Sequence, residues 1–200
     1  IRYFSKDNFE AAIPEFKKAL REDAHCLSTY IILGDAYEKT GNGKAALKAW
    51  EKGYETTNSP ICLMKMEKLY QASNQIEEMV GVYKEAIKNA QSSARETLSF
   101  LLGSLYLGKG NSEKTIQVIL ENTNASKDII PSLILAGAYR QQQDDENSQK
   151  AVENAFYRVK RAILNFKCSG CGAHLDKWFD TCPNCDAFDE IQCCPGINSQ

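Results

Sequence analysis

Four cysteines near the C-terminus have the spacing of a single chemical unit. Cys168-Ser-Gly-Cys171 and Cys182-Pro-Asn-Cys185 are two Cys-x2-Cys pairs separated by ten residues. In each pair the first cysteine starts a tight turn whose backbone amides can point at the thiolates, and Gly172 and Pro183 are residue types that such turns favour. Four thiolates are a soft donor set that closes tetrahedrally on one ion, zinc or iron, and leaves no place for a water ligand. Hydrolysis by metal-bound water is therefore not expected. A segment of about 30 residues buries too little core to fold unaided, so the ion is expected to act as a folding staple. Iron in the same site would leave electron transfer open. Two structural disulfides are the competing pairing, and the isolated Cys26 and Cys62 argue against an oxidising compartment. His174 is a spare donor beside a set that four thiols already fill. Cys193 and Cys194 are adjacent and poorly placed to share an ion, and they are assigned no role. Trp178, Phe179 and Phe188 are expected to form the small core of the module and its dock onto the rest of the chain.

Nothing else in the 200 residues has the form of a catalytic site. The histidines are His25 and His174 alone, no glycine-rich loop could cradle a phosphate, and no carboxylate pair stands out from solvated helix faces. Residues 1–167 carry 23 Lys and Arg against 21 Asp and Glu, a net charge of +2. Residues 168–200 set Lys177 against Asp176, Asp180, Asp186, Asp189 and Glu190, a net charge of −4, and the opposite signs weakly favour docking of the two parts. A chain of net charge −2 is a poor candidate for nucleic-acid binding driven by phosphate contacts, and an acidic zinc ribbon is no better. With 43% hydrophobic residues the chain is too apolar for disorder, yet it has no run long enough to span a bilayer and no signal peptide.

The elements that must carry this module repeat. Tyrosines recur at Tyr3, Tyr37, Tyr70, Tyr106 and Tyr139, at intervals of 34, 33, 36 and 33. Nine residues beyond each comes a small residue, Ala12, Ala46, Thr115 or Ser148, with Met79 as the exception. Four further on comes a larger one: Phe16, Trp50, Tyr83, Ile119 and Val152. Each unit reads as a first helix with apolar spacing, a break rich in Gly, Asn, Gln or Asp, and a second helix with small residues where two helices approach. Gly34 and Gly103 lie inside first helices, where glycine costs propensity and close interhelical contact is the reason to keep it. The pattern Leu33-Gly34, Tyr37, Ala46, Trp50 and Gly53 resembles the tetratricopeptide repeat, with departures at Glu67, Met79 and Asn122.

The resemblance implies an all-α tetratricopeptide-repeat solenoid, a right-handed superhelix of helix pairs. The expected boundaries are about five repeats over 1–165, a four-cysteine module over 166–194 and a tail over 195–200. Tyr3 would stand about two turns into a first helix, so the chain is expected to be the C-terminal part of a longer protein. In such repeats the first helices line a concave surface. The register then puts Ile31, Met64, Phe100 and Leu133 in a partner-binding groove, flanked by Asp35, Glu38, Lys68, Ser104, Leu107 and Arg140. An apolar strip there implies a protein partner or the chain's own module.

Repeats followed directly by Cys-x2-Cys-Gly-x9-Cys-Pro-x-Cys, with Phe188 three residues after the last cysteine and then Ile191, resemble the lipopolysaccharide assembly protein B family of Gram-negative bacteria. The resemblance implies a non-catalytic adaptor on the cytoplasmic face of the inner membrane, held there by an N-terminal helix absent from this sequence. It implies that a rubredoxin-like module packs on the repeat groove. It also implies that the protein helps a membrane ATP-dependent protease degrade the deacetylase committing carbon to lipid A. Only Cys168, Cys171, Cys182 and Cys185 inherit a role, that of metal ligands. Phe188 stands where the family usually has tryptophan. Two other readings fit the same residues: a rubredoxin-like electron carrier on a repeat scaffold, and a general interaction module with structural zinc.

Overall fold

The computed structural model of the chain describes residues 9–124, 128–175 and 179–195, without the side chains of 161–165 and 193–195. Tyr3, Trp178 and the side chains of Cys193 and Cys194 lie outside the described residues. The described helices are α1 (Phe9–Glu22), α2 (Leu27–Lys39), α3 (Gly43–Thr57), α4 (Pro60–Ala72), α5 (Ile76–Asn89), α6 (Ser92–Gly108), α7 (Ser112–Asn122), α8 (Ile129–Gln141) and α9 (Asp145–Ile163). They are the expected helix pairs: α2 with α3, α4 with α5, α6 with α7 and α8 with α9, preceded by α1, the second helix of the first repeat. By its contacts the chain divides into two compact units, Ile1–Leu98 and Ser99–Gln200.

One turn joins the helices of every described pair. The carbonyl of each repeat tyrosine accepts from the amide five residues on: Asn42 to Tyr37 at 2.8 Å, Gln75 to Tyr70 at 2.8 Å, Asn111 to Tyr106 at 2.9 Å and Asp144 to Tyr139 at 3.0 Å. The residue before each donor takes a positive φ, +78° at Gly41, 56° at Asn74, +73° at Gly110 and 60° at Gln143. This left-handed closure caps the first helix by satisfying a carbonyl that its end would leave unpaired. At three of the turns the next side chain caps the second helix: Asn42 accepts from the Ala45 amide, Asn111 from Lys114 and Asp144 from Asn147.

Inside the pairs, the residue three before the tyrosine meets the residue sixteen further on. Trp50 is fully buried against Gly34, and a Cβ at Gly34 would overlap its indole ring. The Trp50 indole N–H donates to the Ile31 carbonyl at 3.3 Å. In the fourth repeat a Cβ on Gly103 would come within 2.8 Å of the Ile119 Cδ1, and Ile119 is fully buried. The third repeat breaks the pattern and compensates for it. Glu67 occupies the glycine position, the partner is Tyr83 in place of tryptophan, and the tyrosine hydroxyl donates to Glu67 Oε2 at 2.6 Å. Burial, then that carboxylate, push the Tyr83 hydroxyl's pKa upward, so it stays protonated as the donor. Small polar residues also tie helices together: Thr115 Oγ1 donates to the Gly103 carbonyl and Ser148 Oγ to the Ala136 carbonyl.

One residue of the frame is exposed. Val152 stands at the position of the fully buried Trp50, Tyr83 and Ile119, but it is 44% exposed. Ile119 is covered by Ile134 of the following pair, whereas after α9 the chain enters a strand and no further pair follows among the described residues. That strand, β1 (Leu164–Cys168), lies between β2 (His174–Leu175) and β3 (Ile191–Pro195), antiparallel to both. In register, Phe166 faces Leu175 on one side and Cys193 on the other, and Cys168 faces Ile191. None of the described helices is long and apolar enough to cross a membrane.

Candidate metal centre

The module buries the first cysteine of each pair in its core and leaves the second at its surface. Cys168 and Cys182 are fully buried and form a cluster with Ile191, packed on by Phe166, Leu175, Phe179 and Ala187. Cys171 and Cys185 are exposed.

The two pairs are built alike, fourteen residues apart. The Cys168 amide donates to the Ala173 carbonyl at 3.0 Å, and the Cys182 amide to the Ala187 carbonyl at 2.9 Å. The Gly172 amide returns to the Cys168 carbonyl at 2.8 Å, and Asp186 to Cys182 at 2.9 Å. Gly172 and Asp186 both take positive φ, +76° and 58°. The turns therefore aim the Ala173 amide at the Cys171 sulfur and the Ala187 amide at the Cys185 sulfur. Lys167 pairs with His174 beside the first turn, and Thr181 bridges to Phe188 beside the second. The Ser169 amide and hydroxyl both donate to the Glu190 carbonyl, joining the first turn to the residue before β3.

All four sulfurs lie within 4.8 Å of one another. Cys168 Sγ stands 3.8 Å from Cys185 Sγ, and Cys171 Sγ 3.8 Å from Cys182 Sγ. Tetrahedral bonds of about 2.3 Å put sulfurs about 3.8 Å apart, so the set fits a single ion of the zinc or iron kind. The Ala173 amide, then Asn184 and Cys185, hold the Cys171 thiol down at about 6. The Ala187 amide pulls the Cys185 thiol down, but Cys171, desolvation, Cys182 and Cys168 together push it up to about 12.

His174 is exposed on β2 and lies outside the sulfur cluster. Phe188 was expected in the module's core, yet it is 73% exposed; the bridge to Thr181 holds its backbone while Phe166, Leu175 and Phe179 supply the core. Among the described residues, the cluster that holds the module together contains none of the repeats.

The expected groove residues fall in both units and differ in character. In the first unit Met64 is 52% exposed and Lys68 exposed, whereas Ile31 is half-buried. Asp35 is not free, because both its oxygens accept from Lys65 Nζ at 2.8 Å, tying α2 to α4. In the second unit Leu133 is 51% exposed and Ser104 and Arg140 are exposed. Phe100 instead packs on the cluster of Ile119, Ile134, Leu135, Ala136 and Ala151, and Leu107 packs on it too. Residue spacing could not distinguish groove from interhelix packing here, because the same face of a first helix serves both.

Two contributors went unnoticed in the sequence. Lys65 sits one position past the expected groove residue Met64, and its charge opposite Asp35 was the available signal. Asn184, between Pro183 and Cys185, donates from Nδ2 to the Cys171 sulfur at 3.6 Å. The first unit also has an open cleft of about 620 Å³ lined by Glu51, Tyr54, Met66 and Glu85 among others, with no His or Cys in its wall.

No family model and no curated protein matches the chain. Solved structures do. The crystal structure of MamA aligns at 18% identity over 80% of this chain and 93% of that one, with a TM-score of 0.54. The C-terminal part of a TPR repeat-containing protein from Cytophaga hutchinsonii aligns at 18% identity over 78% of this chain and 61% of that one, with a TM-score of 0.53. BtubC from P. vanneervenii aligns at 14% identity over 76% and 73%, with a TM-score of 0.53. At such identities the likeness concerns the fold, and the fold is that of tetratricopeptide repeats.

Proposed function

We propose that this chain is a non-catalytic adaptor whose repeats bind proteins and whose module is stapled by one metal ion on Cys168, Cys171, Cys182 and Cys185. The observation that carries this reading is the placement of four sulfurs at tetrahedral spacing directly after the repeat helices. When bound, a zinc ion supplies folding free energy and no open coordination position. The chain's own residues do the rest: β1 and the two turns deliver the thiolates, and the Ala173 and Ala187 amides offset their charge.

The finer role follows from the resemblance of the cysteine motif and its position after the repeats. In that role the adaptor, attached to the cytoplasmic face of the inner membrane by an upstream segment, presents the lipid A deacetylase to a membrane ATP-dependent protease. The test is reconstitution of purified protease and deacetylase with and without the full-length adaptor. Faster loss of the deacetylase with the adaptor is expected. An unchanged rate would overturn the lipopolysaccharide role and leave the general adaptor standing.

One observation favours a second reading, electron transfer through iron: Cys171 and Cys185 reach the surface, where an electron partner could approach. A tetrathiolate ferric protein is red and bleaches on reduction. A colourless chain with one zinc removes this reading.

A further inference from the structure

The two turns match in the amides that close them and in those aimed at the sulfurs, and one of their differences falls on the exposed sulfurs. Asn184 occupies the third position of the second pair and donates to Cys171 Sγ at 3.6 Å. The matching position of the first pair is Gly170. A Cβ built there would stand 3.9 Å from Cys185 Sγ, in ordinary contact, but glycine has no side chain to donate. Among the described residues, Cys171 thus receives a backbone amide and a side-chain amide, whereas Cys185 receives the Ala187 amide alone.

The other two sulfurs are closed to reagents, because Cys168 and Cys182 are fully buried. A metal-bound thiolate remains a nucleophile when it reaches solvent, and each N–H donor on the sulfur withdraws charge and lowers its reactivity. We propose that Cys185 is a modification site, the reactive sulfur of the metal centre toward soft carbon electrophiles, and that Asn184 is the residue that protects Cys171. This rests on the metal reading given above.

The step is a substitution. The Cys185 sulfur attacks the electrophilic carbon, an S–C bond forms and the leaving group departs with its electron pair. The resulting thioether is neutral and a weak ligand, so the ion is left with three thiolates. The module is stapled by that ion, and its fold thereby becomes sensitive to electrophiles.

The test uses the intact chain, first shown to hold one zinc per molecule, treated with less than one equivalent of iodoacetamide. Peptide mass spectrometry reads the site of labelling, and a zinc-sensitive dye reads release. Label at Cys185 is expected in about tenfold excess over Cys171, as one charge-assisted hydrogen bond implies, with zinc released in step. Asn184 and Gly170 are both exposed, and the zinc content of each variant is measured first so that labelling is compared at equal loading. Asn184→Ala should bring Cys171 up to the rate of Cys185, and Gly170→Asn should slow Cys185. Equal labelling in the wild-type protein, or no response to Asn184→Ala, overturns the inference alone. A chain that takes up no zinc overturns the metal centre and this inference with it.

Discussion

The repeats and the cysteine module are both built by duplication, but they tolerate change differently. In the repeats one turn is made four times with Gly41, Asn74, Gly110 and Gln143 at its left-handed position. One interhelix contact is made as Gly34 with Trp50, Glu67 with Tyr83 and Gly103 with Ile119. The tyrosine carbonyl and the helix pair fix the geometry, and several side-chain chemistries satisfy it. In the module two turns fourteen residues apart share the two backbone bonds that close them, and together they must deliver four sulfurs to one point. No residue there has a substitute, because no neighbouring copy shares the load.

The largest test of this contrast is removal of a ligand. Cys182→Ser, or stripping the ion with a chelator, should unfold the module, because a structural zinc contributes on the order of 10 kcal/mol or more to a small domain. The helical circular dichroism should fall only slightly, while protease should cut within the module. Should the module stay resistant, the Phe166, Leu175 and Phe179 cluster folds it alone and the staple argument fails. Next in size is Trp50→Ala, which empties the largest fully buried side chain of the repeats and should cost about 3 to 5 kcal/mol in urea unfolding. The metal content should not change. Coupled loss of metal would mean that the two regions do not fold independently.

The same contrast governs what the sequence disclosed. The repeat period, the helix pairs and the clustering of the four cysteines were legible, since each rests on a spacing that backbone geometry enforces. The partner of Glu67 was not legible. Glu67 reads as a defect at a glycine position until Tyr83, sixteen residues on, is seen to carry the hydroxyl that it accepts. The exposure of Val152 was equally hidden, because burial at a repeat position depends on the element that follows and not on the residue. Asn184 was hidden too, since a turn residue between two cysteines reads as a turn former.

A smaller test concerns that compensated pair. Tyr83→Phe leaves Glu67 without its buried donor and should cost about 1 to 3 kcal/mol. The double change Glu67→Gly with Tyr83→Trp installs the chemistry of the second repeat in the third, and unfolding should show it within about 1 kcal/mol of the wild type. A double variant as unstable as the single one would show that each repeat has its own packing and that the shared offset of sixteen is only a spacing.

The smallest expected effect is a rate close to zero. Cys62 is fully buried between α3 and α4, with its sulfur 2.9 Å from where a Cβ on Gly53 would stand, and burial raises its thiol to about 11. The sign follows directly: a raised thiol pKa means less thiolate, roughly one molecule in a thousand at pH 8, and the thiolate is the reactive form. Iodoacetamide at pH 8 should leave Cys62 unlabelled in the folded chain and label it only in urea, at concentrations that unfold the repeats. Cys185 in the zinc-loaded module should react without any unfolding, because its sulfur is already a thiolate at the surface. Early labelling of Cys62 would show that α3 and α4 separate in the native state, and the repeats would then be the more open of the two regions.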